Sequence, residues 1–352
     1  RAARDALRGM IDLLSARHMM PTANFARTRY GPADGLGAAA IGERYRPRRT
    51  GCRGCHIRCK QRTPDGEALP EFETLSHFTA LIENDDLEAV RRANLRCNEL
   101  GLDTISTAVT LACHREVAGD DLGGERVLEL IDATARAEGI GAALAEGSAR
   151  YAAQRGCPEA SISVKGLELP AYDPRGAYGM ALAYVTSTRG GCHLRAYPIG
   201  HEILRKPVAT DRFSFAGKAR IVKLAEDLNA VVDSLTACKF VFFASGLEEY
   251  AAAYQAVTGV PTTAADLSRA GERIYFRERL INAAAGFAAA DDDLPPRFFE
   301  QPGTAGPGFD VPPIERGEFL AARDRYYRVR GLDEAGRPLR SKADELGLAW
   351  NA

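Results

Sequence analysis

The chain is poor in the features that mark several protein classes. It has one tryptophan and four methionines in 352 residues, and no excess of either charge, with 46 basic against 47 acidic side chains and a formal net charge of −1. That balance excludes a nucleic-acid-binding field as its main purpose. No uncharged apolar run approaches the roughly 20 residues that span a bilayer, so no membrane segment is expected. The opening, RAARDALRGMIDLL, has no initiator methionine and no secretory h-region. It reads as the middle of a helix, and the first thirty residues suggest one helix in a chain truncated at its N-terminus. Alternating strand patterns are also missing; helical periodicity dominates and predicts a mainly α protein. Eight cysteines, three of them clustered, suit a reducing compartment better than a disulfide framework, and a cytoplasmic location is expected. At 45% hydrophobic and 26% charged, the composition is that of a globular protein long enough for two domains.

What is present begins with GCRGCHIRCK, residues 51–60. Cys52, Cys55 and Cys59 form a C-x2-C-x3-C array within eight residues. Thiolates this close can converge on one soft metal centre, and three leave a tetrahedral or cubane site one ligand short. Cys238, in DSLTACKF, is the candidate fourth. The spacing is neither the bacterial ferredoxin run, C-x2-C-x2-C-x3-C, nor the C-x3-C-x2-C of radical enzymes. A cluster, a structural zinc and unliganded thiols all stand at this point. His56, inside the array, could bond a sulfur or ligate zinc. Cys97 and Cys113 fit core positions on helix faces; Cys157 and Cys192 have no partner spacing.

Further along, Leu87, Val90, Ala93, Cys97 and Leu100 recur three or four apart and predict a half-buried helix over 85–100, ended by Gly101. Asp103 is placed to cap a second helix ending near Gly119. Helices are expected over 125–138 and 140–155, separated by Gly139. A change of pattern around 156–166 predicts a boundary between helical domains 1–162 and 163–352. Lys218 to Leu235 is the best helix of the second half, with Ile221, Leu224, Leu228, Val232 and Leu235 on its apolar face. The Pro/Gly-rich tail is expected to wrap the surface before a last helix near 318–329.

Two segments about 130 residues apart look alike: Asn98-Glu-Leu-Gly-Leu-Asp103 and Asp233-Ser-Leu-Thr-Ala-Cys238. Each ends a helix and puts a polar acceptor shortly before a potential ligand. Such a pair could grip a two-fold-like cofactor lying between two domains. The amino-pyrimidinone edge of a pterin offers parallel N–H donors that a carboxylate accepts together. Either segment alone is also what a capped helix end looks like.

The ordered set C-x2-C-x3-C, PEFET, NELGLDT, TRGGCHLR and DSLTACKF resembles the tungsten-containing aldehyde ferredoxin oxidoreductase family, as do RERLINAAAGF, DDDLPPRF and GLDEAGRP…LGL. The resemblance covers essentially the whole chain, and matches the two helical domains that follow an N-terminal β-rich domain in that family. It implies that Cys52, Cys55, Cys59 and Cys238 bind one [4Fe–4S] cluster. It also implies that Asn98, Gly101, Leu102, Asp103, Thr104, Asp233, Ala237 and Lys239 hold the pterins of a tungsten, or molybdenum, bis-pterin centre, with Arg195 as a basic contact. Asn98 stands where many members have aspartate, and Thr236-Ala237 where Gly-Leu is common. Where some relatives hold an interface iron through glutamate, this chain has Arg91 and Arg92, so that site is not carried over.

Glu73, or its neighbour Glu71, matches the acid facing the tungsten, and His193 the histidine near the same metal; Tyr172 matches a tyrosine near the site. A buried carboxylate with a raised pKa can take the proton released in aldehyde oxidation, while imidazole can stabilise charge on the carbonyl oxygen. The expected activity is oxidation of an aldehyde to a carboxylic acid, with electrons passing to ferredoxin or an iron–sulfur electron-transfer subunit. No nucleic-acid or membrane partner is expected, and a homodimer is allowed. The competing readings are a non-catalytic iron–sulfur or zinc subunit and a family member reducing an aromatic thioester.

Overall fold

A computed structural model describes residues 9–243, 245–306 and 309–350. The chain forms two compact units, one of Arg1–Ala177 with Pro295–Ile314, the other of Tyr178–Leu294 with Glu315–Ala352. The first unit therefore runs past residue 162, where the composition changes, to Ala177.

In the first unit, α1 (Met10–Ala16) and α2 (Ala38–Tyr45) precede an antiparallel ribbon of β1 (Arg48–Thr50) and β2 (Lys60–Arg62). Then come α3 (Phe72–His77), α4 (Leu87–Leu100), α5 (Thr104–Ala118), α6 (Gly124–Arg136), α7 (Ile140–Leu144) and α8 (Ser148–Gln154). A short hairpin of β3 (Ser163–Val164) and β4 (Leu167–Glu168) follows.

Helix α4 starts where Asp86 Oδ1 accepts from the Glu88 and Ala89 amides, and stops at Gly101, whose φ of 72° is left-handed. Asp103 starts α5 by accepting from Ser106 N–H at 2.8 Å. Caps of this kind contribute about 1 kcal/mol each by satisfying amides the helix leaves free. Leu87, Val90, Ala93 and Cys97 are buried as their spacing predicts. Cys113 is buried too, in line with a core cysteine.

Four expectations change. The suggested helix over the first thirty residues is helical only at Met10–Ala16 among the described residues; residues 1–8 lie outside them. Ala23, Asn24 and Phe25 are left-handed, because tertiary bonds capture this stretch: Ala23 and Asn24 amides donate to Ala80 and Leu81 carbonyls, and Arg175 donates to Phe25 O. The helix expected over 140–155 is broken by Gly147 at φ 81°. The stretch 295–314, expected on the surface, enters the first unit's core: Phe298 is fully buried edge-on to Phe25 at 5.7 Å.

The fourth change lies in the second unit, made of α9 (Tyr178–Thr186), α10 (Ile199–Glu202), α11 (Lys218–Ser234), α12 (Leu247–Thr258), α13 (Ala264–Ala284), α14 (Arg316–Arg330) and α15 (Arg340–Leu346). The expected apolar face of α11 is not its deepest one, since Leu224 is 60% exposed while Glu226 and Asp227 are buried. Glu226 accepts from Thr186, Tyr275, Tyr326 and Arg330, and Asp227 from Arg330. Buried carboxylates are tolerated there because each is hydrogen-bonded and charge-compensated. At Gly271 α13 comes so close to α11 that a Cβ would sit 2.1 Å from Asp227 O. The last predicted helix is α14, and α15 follows it without having been anticipated.

Candidate functional site

Three separate stretches between Thr50 and Ile105 meet around one cavity of about 710 Å3 in the first unit. Cys52, Lys60 and Arg62 come from the β1–β2 ribbon, Glu71 and Glu73 from the start of α3, and Asn94, Asn98, Asp103 and Thr104 from the α4–α5 corner. Of the site residues that the sequence singles out in this half, Cys52, Glu71, Glu73, Asn98, Asp103 and Thr104 share this wall, whereas Cys55, Cys59, Gly101, Leu102 and Tyr172 are not part of it.

The ribbon fixes the cysteine loop. Cys55 N–H donates to Cys52 O at 3.0 Å, and Gly51 lies so close to Arg58 that a Cβ would meet its Cα at 3.0 Å. Backbone N–H groups of Arg58 and Ile57 point at the Cys55 sulfur and lower its pKa, which favours thiolate. Cys52 is exposed, and Cys55 and Cys59 partly so. Among the described residues no group of three or more His, Cys, Asp or Glu is drawn together as a metal site.

Glu71 and Glu73 differ in environment. Glu71 is exposed and ion-paired with Lys60. Glu73 lines the cavity and its carboxylate is buried, with Oε2 accepting from Ala171 N–H at 2.7 Å. Burial pushes its pKa up to about 8, opposed by the Ala171 amide and helped by the charge of Asp103. Tyr172 is buried with its ring centroid 5.4 Å from that of Phe72.

His77, for which the sequence offers no role beyond surface or core, lies four residues after Glu73 on the same side of α3. Its Nε2 faces Leu169 O at 3.1 Å, so Nε2 carries the proton of the neutral ring. Burial lowers its pKa to about 4. The Glu73–His77 spacing is the only signal that could have found it.

The two look-alike segments fold alike. The Leu102 amide donates to Cys97 O at 2.9 Å, and the Ala237 amide to Val232 O at 2.9 Å, five residues back in both. Gly101 and Thr236 take the left-handed turn between, at φ 72° and 52°. Thr236 thus adopts by constraint the geometry that Gly101 adopts freely. Asn98 lines the cavity, and its Nδ2 donates to Asn94 O at 2.7 Å.

In the second unit, Asp233 pairs with Lys239 at 2.7 Å, and Lys239 also donates to Asn229. Burial lowers the Lys239 pKa against the pull of Asp233, with Arg195 and Cys192 among the nearby charges. Arg195 pairs with Glu278 at 3.1 Å. His193 has its ring centroid 6.2 Å from that of Tyr197. Cys238 is exposed beside Tyr250, and Ala237 packs on the apolar cluster of Val231, Val232, Tyr250, Ala251 and Leu267. Arg91 and Arg92 are held by carboxylates, Arg91 by Glu88 and Glu67 and Arg92 by Glu125.

In the first unit the cysteine ribbon, Glu73 and the α4–α5 corner thus share one cavity within a helical fold, and comparison with known proteins gives the family of the chain. A family model described as "Aldehyde ferredoxin oxidoreductase, domains 2 & 3" matches residues 7–348. The chain belongs to the aldehyde ferredoxin oxidoreductase family. It is 37% identical over 97% of its length to the tungsten-containing aldehyde ferredoxin oxidoreductase of Pyrococcus furiosus, and 36% identical over 97% to that of Thermococcus kodakarensis. It spans 59% of the length of each. Among solved structures it has the fold of a chain in the active site complex BamBC of benzoyl coenzyme A reductase with 1,5-dienoyl-CoA. The TM-score is 0.74 at 18% identity, covering 96% of this chain and 59% of that one.

Proposed function

We propose that the protein containing this chain oxidises an aldehyde to a carboxylic acid at a tungstopterin, and exports the electrons through a [4Fe–4S] cluster. The observation that carries the reading is the single cavity shared by Cys52, Glu73, Asn98 and Asp103.

The residues present suit these groups. Cys55 already receives two backbone N–H groups, as a cluster thiolate requires, and Cys52, Cys59 and Cys238 are the companion ligands. Asn98 and Asp103 offer acceptor oxygens to the donor edge of one pterin, and Asp233 to the other. When bound, the tungsten centre supplies two-electron oxidation and the cluster passes the electrons on singly.

Glu73 rather than Glu71 is the proton acceptor. Its pKa near 8 lies close enough to neutrality for it to give up and take back a proton there, whereas Glu71 is exposed to water and tied to Lys60. Ala171 N–H holds Oε2 in place on a residue that lines the cavity. His193 would donate to the aldehyde carbonyl oxygen as negative charge develops there, and Tyr172 would help wall the site.

Purified full-length protein should contain tungsten or molybdenum with about four irons per chain, the stoichiometry of one cubane. Zinc alone would instead establish the structural reading. Glu73→Gln should lower kcat by roughly 10²–10⁴ and His193→Asn by roughly 10²–10³, with metal content unchanged. Aldehyde oxidation surviving both changes would overturn these roles, and turnover of an aromatic thioester in place of aldehydes would move the assignment to that substrate class.

A further inference from the structure

The segment 44–62 carries Arg44, Arg46, Arg48, Arg49, Arg53, Arg58, Lys60 and Arg62 and no acidic residue, in a chain whose net charge is −1. Most of these side chains are exposed. The ribbon register sets Arg48 directly across from Arg62, a like-charge cross-strand pair that weakens a hairpin. Elsewhere in the first unit arginines find carboxylates: Arg92 has Glu125, Arg96 has Asp132 and Glu99, and Arg126 has Asp120. Among the described residues Arg46, Arg48, Arg53 and Arg58 make no ion pair. The cysteine loop is the tip of this same ribbon. A concentration of unneutralised positive charge at one exposed end is costly in isolation and raises the encounter rate with an oppositely charged protein.

Building on the electron-exporting role proposed above, we infer that the β1–β2 ribbon is the docking surface for an acidic iron–sulfur carrier protein, which takes electrons one at a time from the cluster loop between the strands. The balance is one aldehyde and one water giving one carboxylic acid, two protons and two electrons, each electron reducing one oxidised carrier cluster. The ribbon's arginines hold the carrier by long-range attraction, so the contact is fast, weak and sensitive to salt. Arg46 and Arg48 do not line the cavity, so their charge can be altered without touching the groups proposed to bind cofactor.

The test uses full-length enzyme, a bacterial two-cluster ferredoxin of net negative charge, and benzyl viologen, a small cation that needs no docking surface. For the wild type, kcat/KM toward ferredoxin should fall as ionic strength rises, while the viologen rate stays flat. The double variant Arg46→Glu/Arg48→Glu should lose roughly tenfold or more in kcat/KM for ferredoxin at low salt and lose most of the salt dependence. Its viologen-linked rate should be unchanged, and Arg46→Lys/Arg48→Lys should retain ferredoxin reduction. Wild-type ferredoxin rates indifferent to salt, or equal ferredoxin rates for wild type and the reversed variant, would overturn the docking surface. So would loss of the viologen rate together with the ferredoxin rate in the reversed variant, which would put the arginines inside the intact protein, or salt-sensitive binding of an oligonucleotide with no effect on ferredoxin. A wild type inactive with both acceptors would sink the functional reading itself, a result distinct from all of these.

Discussion

Two acids two residues apart, Glu71 and Glu73, show how far a side chain's chemistry depends on where its backbone is sent. Glu71 sits exposed just before α3 and pairs with Lys60; Glu73 turns inward against the Ala171 amide. Its folded-state pKa of about 8 lies above the ordinary carboxylate value of 4.5, so the folded protein binds the proton more tightly than the unfolded chain. That contribution to stability is complete below about pH 4.5 and is lost as the pH rises toward 8, the loss reaching about 3 kcal/mol by pH 7. Glu73→Gln, which cannot ionise, should therefore gain stability over the parent between pH 5 and pH 8. Denaturant unfolding of the cofactor-free protein at both pH values measures this, and a difference independent of pH would show the carboxyl to be solvated.

At the scale of elements, the paired helix ends matter most. The turn after α4 and the turn after α11 make the same five-residue backbone bond through a left-handed residue. Glycine takes that conformation without strain, whereas a β-branched residue opposes it by roughly 1–2 kcal/mol. Thr236→Gly should thus stabilise the second unit by about 1 kcal/mol, after the entropy glycine adds to the unfolded chain. Gly101→Ala should cost about as much in the first unit. Thermal melts of the two variants shifting in the same direction would refute the shared geometry. The caps and stops of α4 and α5 were legible because Asp86, Gly101 and Asp103 act on neighbours in sequence. The break at Gly147 and the left-handed run at 23–25 were not, since partners at Ala80, Leu81 and Arg175 decide the latter.

Over the whole molecule, ionic groups are buried where periodicity predicts apolar ones. Arg330 lies in the second unit between Glu226 and Asp227, with its guanidinium 4.5 Å from the Tyr275 ring centroid. Removing one member of such a set leaves uncompensated charge in a dry site. Arg330→Met should cost roughly 3–5 kcal/mol, visible as a lowered urea midpoint. An unchanged midpoint would mean that water reaches the cluster.

The sequence by itself determined the helical class, the ends of α4 and α5, the core cysteines and the ordered motifs that mark the family, because these rest on periodicity, local capping and residue identity. Tertiary structure alone decided that Glu73 rather than Glu71 has the buried carboxylate, and that Phe298, Val311 and Ile314 are core. Depth of burial is set by what other parts of the chain bring, as Ala171 does for an acid 98 residues away, and no local pattern encodes it.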